Sequence, residues 1–169
     1  MKRFEYPIPA GGLFPNWVSG FADAESSFII SIRKKADVKL GWGVSAIFSI
    51  SLNKRDLEIL QKIQAYFGVG TITYSKRDDC NIYLVQSIKD LTNVIIPHFD
   101  KYPLITQKRV DFLLFKMVVE LMNAKEHLTI QGLRKILGIR ASINKGFSEE
   151  LRTAFPDITP VQRPVTDNP

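Results

Sequence analysis

The chain has almost no cysteine, since Cys80 is the single one among 169 residues. One cysteine excludes an internal disulfide framework and a cysteine-rich zinc site. Long hydrophobic runs are missing too: the stretch 112–122 is interrupted by Lys116 and Glu120, whereas a membrane-spanning helix needs about 20 apolar residues. Residues 1–12 lack the apolar core of a signal peptide and the Arg/Ser bias of a transit peptide. These absences predict a soluble protein of a reducing compartment.

Acidic residues are outnumbered by basic ones, with 17 Asp and Glu against 23 Lys and Arg, and the formal net charge is +6. Because 45% of the residues are hydrophobic and 24% are charged, the chain can pack a core and is not globally disordered. Each Lys or Arg placed at a phosphate releases condensed counterions, so the positive excess favours a polyanionic partner. Many basic proteins bind no nucleic acid, and the charge alone does not separate the two cases.

Hydrophobic periodicity predicts the order helix, two strands, helix, two strands, helices. Spacings of three and four residues predict helices, and two-residue alternation predicts strands. The helices are expected at about 15–25, 56–67, 88–99, 107–123, 129–144 and 148–155, and the strands near 28–35, 44–53, 71–75 and 81–85. This order predicts an α+β fold in which a four-stranded antiparallel sheet carries helices on one face.

We divide the chain into an N-terminal lead-in over 1–14, a single domain over 15–155 and a tail over 156–169. The tail contains four prolines in fourteen residues and has no hydrophobic periodicity. It is expected to be an extended linker or a disordered end.

The uncovered face of the predicted sheet carries short polar and basic side chains and almost no acids. Such groups read base edges and hold phosphates, although a solvated sheet face is the simpler alternative. A ten-residue strand spans about 33 Å, which matches about ten base pairs of a major groove. The residues expected to contact nucleic acid are Ile29, Ser31, Arg33, Lys35, Ser45, Ile47, Ser49, Ser51, Thr71, Thr73, Ser75, Lys76, Arg77, Asn81 and Tyr83.

The first predicted helix contains the motif WVSGFADAES at 17–26, directly followed by a strand. This motif resembles the signature of LAGLIDADG homing endonucleases and the related intron maturases through Gly20, Phe21, Asp23 and Glu25. The stretch FDKYPLITQKRVDFLLFK at 99–116 is similar to the corresponding part of fungal mitochondrial members. The resemblance covers roughly residues 15 to 155. It implies the αββαββα homing-endonuclease fold, and Ser26 stands where the family usually has glycine.

The same residues have a chemical interpretation. Glu25 is expected at the carboxyl end of the helix, where unpaired carbonyls and the helix dipole favour a cation. Its carboxylate and the backbone carbonyl of Ala24 form an oxygen site for Mg²⁺, with Ca²⁺ or Mn²⁺ as substitutes. Asp23 points elsewhere and is interpreted as structural. Lys108 is a candidate charge stabiliser near the phosphates, and a surface lysine is an equally good interpretation.

The resemblance implies a metal-dependent endodeoxyribonuclease that makes a double-strand break in a long target site, in intron homing. An RNA-binding maturase that assists splicing without cleavage is the alternative, and the presence of Glu25 favours the enzyme. The resemblance also implies a mitochondrial, organelle-encoded protein with double-stranded DNA as partner and no membrane association.

The chain contains one such motif, whereas a double-strand break needs two sets of metal-binding groups. It is therefore either a two-fold homodimer or half of a longer two-motif enzyme, and we take the homodimer as the working state. Gly20 and Ala24 lie four residues apart, so a second helix can approach closely along that side. The expected dimer interface consists of Val18, Gly20, Phe21 and Ala24. Trp17 and the phenylalanines are expected in the core, and His98 and His127 are assigned no chemistry.

Overall fold

The computed structural model describes residues 12–143 and 147–166. Residues 1–11 of the lead-in, the last residue of the helix expected over 129–144, and the end of the tail lie outside the described residues. The elements are α1 Pro15–Glu25, β1 Ser26–Lys34, β2 Trp42–Asn53, α2 Leu57–Phe67, β3 Thr71–Ser75, β4 Cys80–Val85, α3 Ile88–Asp90, α4 Ile96–Lys101, α5 Lys108–Asn123, α6 Ile130–Ile143 and α7 Glu149–Ala154.

The strands form one four-stranded sheet in the order β1-β2-β4-β3. Strand β4 is antiparallel to both neighbours, with Ser51 opposite Ile82 on one side and Thr73 opposite Ile82 on the other. The predicted α+β fold with a four-stranded antiparallel sheet is confirmed. Within the described ranges no helix is long and apolar enough to cross a membrane.

The chain forms two compact units whose boundary falls inside β2. Of the described residues, the first unit contains 12–27 and Phe48–Leu104, and the second contains Phe28–Ile47, 105–143 and 147–166. In the first unit, α1 follows the lead-in with Pro15 in its first turn, a position where proline's missing N–H is not needed. Helix α2 ends at Gly68, whose positive φ of 69° is readily adopted by glycine.

An aromatic cluster forms the core of the first unit. Phe48 of β2 lies 6.2 Å from Phe67 of α2, 5.6 Å from Phe99 of α4 and 6.4 Å from Tyr83 of β4, measured between ring centroids. Phe48 and Tyr83 are fully buried. The helices of this unit therefore cover one face of its strands, and α1 enters the same unit.

A wide turn separates α3 from α4. Residues Leu91–Ile95 form a π-helical turn in which the Ile96 N–H donates to the carbonyl of Leu91. Pro97 follows at once and has no N–H to continue a regular α-helix. The single helix predicted over 88–99 is thus a helical run of three pieces over 88–101, because Pro97 cannot donate the hydrogen bond that a continuous α-helix needs.

The second unit is built on β1 and the helices α5 to α7. Phe28 of β1 packs against Phe112 and Phe115 of α5, with ring centroids 5.5 and 5.3 Å apart. Arg140 of α6 donates from Nε to the carbonyl of Ile30 at 2.7 Å. Helix α6 therefore caps a backbone acceptor of β1, which is an edge strand of the sheet.

The described part of the tail, 156–166, lies along α6. The N–H of Val161 donates to the carbonyl of Gly138 at 3.1 Å, and the hydroxyl of Ser142 donates to the carbonyl of Val161 at 2.6 Å. Arg163 forms an ion pair with Asp111 of α5 at 3.0 Å. The described part of the tail is therefore held by hydrogen bonds and an ion pair to α5 and α6 within the second unit.

Candidate DNA interface and metal-binding residues

Helix α1 has a buried side and an exposed side. Val18, Ser19 and Ala22 are buried in the first unit, whereas Gly20 and Ala24 are exposed. The assignment of Val18 to the dimer interface is wrong, because Val18 is 1% exposed and belongs to the core. Residue types alone could not predict which side of α1 is buried, since most residues on both sides of this helix are small or apolar.

Trp17 is exposed, which corrects its expected place in the core. It retains 41% of its surface and stacks on Phe21, with ring planes 10° apart and centroids 5.0 Å apart. A Cβ added at Gly20 would meet nothing within 4 Å. The outer side of α1 therefore presents the apolar residues Trp17, Gly20, Phe21 and Ala24, a surface that we call the α1 seam.

Glu25 lies at the last position of α1 and is exposed. Among the described residues none forms a hydrogen bond or an ion pair with its carboxylate, so the group is available to a cation. Ser26, the departure from the family motif, is buried and turned inward: its N–H and its hydroxyl both donate to the carbonyl of Ala22, the hydroxyl at 2.6 Å. The serine closes the helix end and does not occupy the space around Glu25.

The oxygen donors at this helix end suit a hard divalent cation, but they are too few to complete a site. A carboxylate and a backbone carbonyl are the ligands that Mg²⁺ and Ca²⁺ prefer, and Mg²⁺ takes six oxygens. Within the part of the chain that the structure describes, no cluster of three or more His, Cys, Asp or Glu side chains could hold a metal ion. Glu25 and Ala24 thus fit as part of a metal site whose other ligands come from water, phosphate or a second carboxylate.

Lys108, the predicted charge stabiliser, is the first residue of α5 in the second unit and is half-buried. Its backbone N–H donates to the Thr106 hydroxyl oxygen at 3.2 Å, which orders the start of the helix. Its role at the phosphates stays a prediction.

The register of β2, β4 and β3 fixes which side chains share the open face of the first unit. Directly opposed residues of antiparallel strands point to the same side. Ser49 and Thr71 both oppose Leu84, and Ser51 and Thr73 both oppose Ile82. These four side chains therefore lie on one face, as predicted, with two aliphatic side chains of β4 between them. Ser51, Thr71 and Thr73 are exposed, but Ser49 is buried at 9% exposure, so its expected accessibility is wrong.

Asn81 and Tyr83 are on the opposite, helix-covered face, and their placement on the open face is wrong. Tyr83 opposes Ile50, is fully buried and donates its hydroxyl to the carbonyl of Val69 at 2.8 Å. Burial raises the pKa of this hydroxyl above its ordinary value. Asn81 is 8% exposed and opposes Leu52. Two-residue alternation divides the side chains of β4 between two faces but does not show which face points toward the core. In β4 the face with the polar residues Asn81 and Tyr83 is the one that points inward.

The turn between β3 and β4 presents two exposed basic residues, Lys76 and Arg77. Arg77 pairs with Asp78 at 3.1 Å, and Lys54, which follows β2, pairs with Asp79 at 2.9 Å. Asp79 has a positive φ of 49°, which closes the turn. Ser75, at the end of β3, donates its hydroxyl to Asp78 at 3.0 Å. These contacts link the turn to Ser75 and to Lys54, and the contribution of Lys54 was not predicted.

In the second unit, β1 shows the alternation that the sequence predicted. Phe28, Ile30 and Ile32 are buried. The residues expected to contact DNA are exposed or half-buried and comprise Ile29, Ser31, Arg33, Lys35, Ser45 and Ile47. Lys35 lies 3.7 Å from Asp37, an exposed pair that leaves its ammonium accessible to solvent. Contact of these residues with DNA stays a prediction.

The order of elements, the α1 seam with its terminal carboxylate, and the polar sheet face together define the class of LAGLIDADG folds. A family model described as "LAGLIDADG endonuclease" matches residues 18–119. The chain therefore belongs to the LAGLIDADG endonuclease family.

Known relatives and solved structures agree with this assignment. "Probable intron-encoded endonuclease 2" of Neurospora crassa is 44% identical over 158 residues, which are 93% of this chain and 35% of the relative. "Homing endonuclease I-ApeII" of Aeropyrum pernix is 28% identical over 120 residues, 70% of each chain. The structure of I-SmaMI bound to an uncleaved DNA target in the presence of calcium ions has a TM-score of 0.90 and 49% identity, covering 93% of this chain and 53% of that one. This chain thus spans about half the length of that solved relative.

Proposed function

We propose that the chain supplies one catalytic half of a site-specific DNA endonuclease that makes a double-strand break in a long target, in intron homing. The observation that carries the proposal is the α1 seam ending in the exposed carboxylate of Glu25, which has no partner among the described residues. A carboxylate held at the end of an uncovered helix is suited to a metal shared with a second helix of the same kind.

Glu25 and the Ala24 carbonyl would hold the metal, for which we propose Mg²⁺. When bound, Mg²⁺ supplies Lewis-acid polarisation of the scissile phosphate and lowers the pKa of a coordinated water. Among the chain's own residues, α1 fixes the direction of the carboxylate. Lys108 of the second unit is the proposed charge stabiliser at a phosphate of the bound DNA. I-SmaMI is bound to an uncleaved DNA target in the presence of calcium ions, which supports a divalent ion here.

The open face of the strands is the proposed reading surface. The exposed residues Ser51, Thr71 and Thr73 carry hydroxyls that can donate or accept, so each can pair with a donor or an acceptor on a base edge. Arg33 is exposed on β1 and can contact a guanine edge with two donors. The basic tip at Lys76 and Arg77 would contact phosphates, which adds affinity without sequence preference.

Two halves are required, and we propose a homodimer through the α1 seam as the working state. The seam residues Gly20 and Ala24 allow close helix approach, and Trp17 and Phe21 supply apolar area beside them. Because the chain spans 53% of I-SmaMI, pairing with a second half in one longer chain is the other arrangement. The names of several relatives place them in introns, which supports an organelle-encoded, mitochondrial protein.

An intron maturase that binds RNA is the second candidate function, because the motif at 17–26 resembles the signature of intron maturases as well. The exposed carboxylate favours the endonuclease, since binding alone needs no metal ligand. A polar, positively charged sheet face does not distinguish the two nucleic acids.

The test is selection of DNA from a randomised duplex library in Ca²⁺, followed by incubation of the selected duplex in Mg²⁺. We expect a two-fold symmetric site for a homodimer and cleavage of both strands in Mg²⁺ alone. Glu25→Gln is the matched control, since it keeps side-chain size and removes the charge. Selection of structured RNA over duplex DNA, with no cleavage in Mg²⁺, would replace the endonuclease by the maturase.

A further inference from the structure

A chain of three hydrogen bonds runs from α2 through α4 to the buried side of α1, all within the first unit. The Tyr66 hydroxyl lies 3.1 Å from Nδ1 of His98, and Nε2 of His98 lies 3.0 Å from the Ser19 hydroxyl. The Ser19 hydroxyl lies 2.6 Å from the carbonyl oxygen of Tyr102. Ser19 and His98 are 5% and 8% exposed. Helix α1 is thus tied to the interior by a buried polar contact.

The direction of each bond follows from the available protons. The Tyr102 carbonyl can only accept, so Ser19 donates its single proton there and must accept from Nε2–H of His98. In the neutral ring the other nitrogen, Nδ1, then has no proton and accepts from the Tyr66 hydroxyl. Every donor is used once, and the bonds specify one tautomer.

The surroundings keep this ring neutral. Phe67 and Phe99 lie edge-on to it, with ring centroids 5.2 and 4.8 Å away, and Tyr66 and Tyr102 lie at 5.4 and 5.3 Å. Burial among these rings lowers the pKa of His98 to about 4. The hydrogen-bonding pattern is therefore the same throughout the neutral pH range.

We propose that His98 is a positioning residue for Glu25, acting through its Nε2–H bond to Ser19. Apolar contacts of Val18 and Ala22 hold α1 against the core but are non-directional, whereas a hydrogen bond fixes an angle as well as a distance. The N-cap residue of α1 is Phe14, whose side chain cannot accept a hydrogen bond from the first turn, so no side-chain cap orients the start of the helix. Ser19 anchors α1 through two directional bonds, one donated to the Tyr102 carbonyl and one accepted from His98. The bond from His98 completes this pair and so fixes the rotation of α1 about its axis, and with it the direction in which Glu25 leaves the helix end.

A small rotation has a large consequence. A side-chain group about 6 Å from the helix axis moves about 1 Å when the helix turns by about 10°. Misplacement of a reacting group by about 1 Å costs about 100-fold in rate. Loss of the Ser19 bond is therefore expected to lower cleavage about 10- to 100-fold.

The inference rests on the proposed endonuclease function, and the experiment separates the two. The His98→Gln amide nitrogen stands near Nε2 and can still donate to Ser19, whereas the His98→Asn amide stands on the Tyr66 side and cannot. Both variants lose part of the ring and are expected to melt at similar temperatures. Tyr66→Phe is the control that removes the bond on the far side of the ring.

Two readouts are used with the selected duplex: cleavage in Mg²⁺, and the gain in DNA affinity when Ca²⁺ replaces EDTA. We expect His98→Gln and Tyr66→Phe to stay within a few-fold of wild type in both. His98→Asn should lose about 10- to 100-fold in cleavage and most of the Ca²⁺ gain, with its metal-free affinity unchanged. Ser19→Ala also removes the bond to Tyr102, so it should lose at least as much, and it replaces His98→Asn if that variant does not fold.

Three results would overturn the inference. One is an Asn variant as active as the Gln variant at equal stability, with the same result for Ser19→Ala. Another is a His98 ring that carries its proton on Nδ1 by ¹⁵N NMR, which refutes the bond direction whatever the cleavage data show. A wild-type chain with neither cleavage nor Ca²⁺ gain refutes the proposed function and this inference with it.

Discussion

Replacing Gly20 by leucine should stabilise the single chain and abolish its function. The site is exposed within α1, and an added Cβ meets nothing within 4 Å, so the chain's own packing is not disturbed. Glycine inside a helix is about 1 kcal/mol less favourable than alanine, and leucine is close to alanine. We expect the free energy of unfolding of the monomer to rise by about 0.5–1 kcal/mol, which is about 1–4 °C in melting temperature.

The same leucine should disrupt pairing through the α1 seam. Helices that cross at a glycine approach closely, and the interaxial distance is set by the side chains at the contact. A leucine side chain would force the partner away by about 2 Å or more. By the rule of about 100-fold per ångström of misplacement, cleavage should fall at least about 100-fold.

The assay combines sedimentation velocity, thermal melting at concentrations where wild type is monomeric, and cleavage of the selected duplex. Ala65→Leu is the matched control, because it adds a leucine at an exposed position of α2, away from the seam. We expect a more stable monomer without double-strand cleavage for Gly20→Leu, and wild-type association for the control. If Gly20→Leu associates and cleaves like wild type, the seam is not the working contact.

Three further predictions concern the sheet face and the buried histidine. Arg33→Ala should cost about 1–3 kcal/mol of binding free energy at one base pair and relax the base preference there. Lys76→Ala should weaken binding to all sequences and reduce the slope of the logarithm of the binding constant against the logarithm of salt concentration by about 1. Binding to single-base variants of the target at several salt concentrations separates the two effects. Tyr83→Phe should lower stability by about 1 kcal/mol through loss of the bond to Val69 and leave base preference unchanged, as urea unfolding and the same binding series would show. Burial lowers the pKa of His98 from 6.5 to about 4, so between these pH values the unfolded chain binds more protons than the folded chain. The free energy of unfolding should therefore fall by about 2 kcal/mol as the pH drops from 6.5 to 4. Urea unfolding across this range measures the fall, and an equal fall in His98→Gln would contradict its assignment to His98.

Much of the fold could be predicted from the sequence, because periodicity records which residues face the core. Strand β3 and helix α1 begin and end at the predicted residues, and β1 buries the predicted side. The motif at 17–26 also led to the family and to Glu25, since an acid at the carboxyl end of a helix is locally unfavourable and calls for a cation.

The errors share a physical cause: residue type does not decide the face when a polar group finds a partner inside. Tyr83 points inward because the Val69 carbonyl accepts its proton, and Gly70 leaves room there, since a Cβ at Gly70 would lie 2.7 Å from the Tyr83 ring. Trp17 was expected in the core and Val18 at the dimer interface, but Trp17 is exposed and Val18 is buried. Both side chains are apolar, so hydrophobicity does not distinguish the two positions. The bonds of His98 join residues 79 and 32 positions apart in sequence, beyond the reach of local patterns.

The most direct test of the account is cleavage of the selected duplex by wild type and Glu25→Gln in Mg²⁺, with DNA affinity measured in parallel without metal. The account predicts that wild type cuts both strands and that Glu25→Gln cuts neither, while the two bind the metal-free duplex within a few-fold of each other. Full cleavage of both strands by Glu25→Gln would contradict the assignment of Glu25 as a metal ligand.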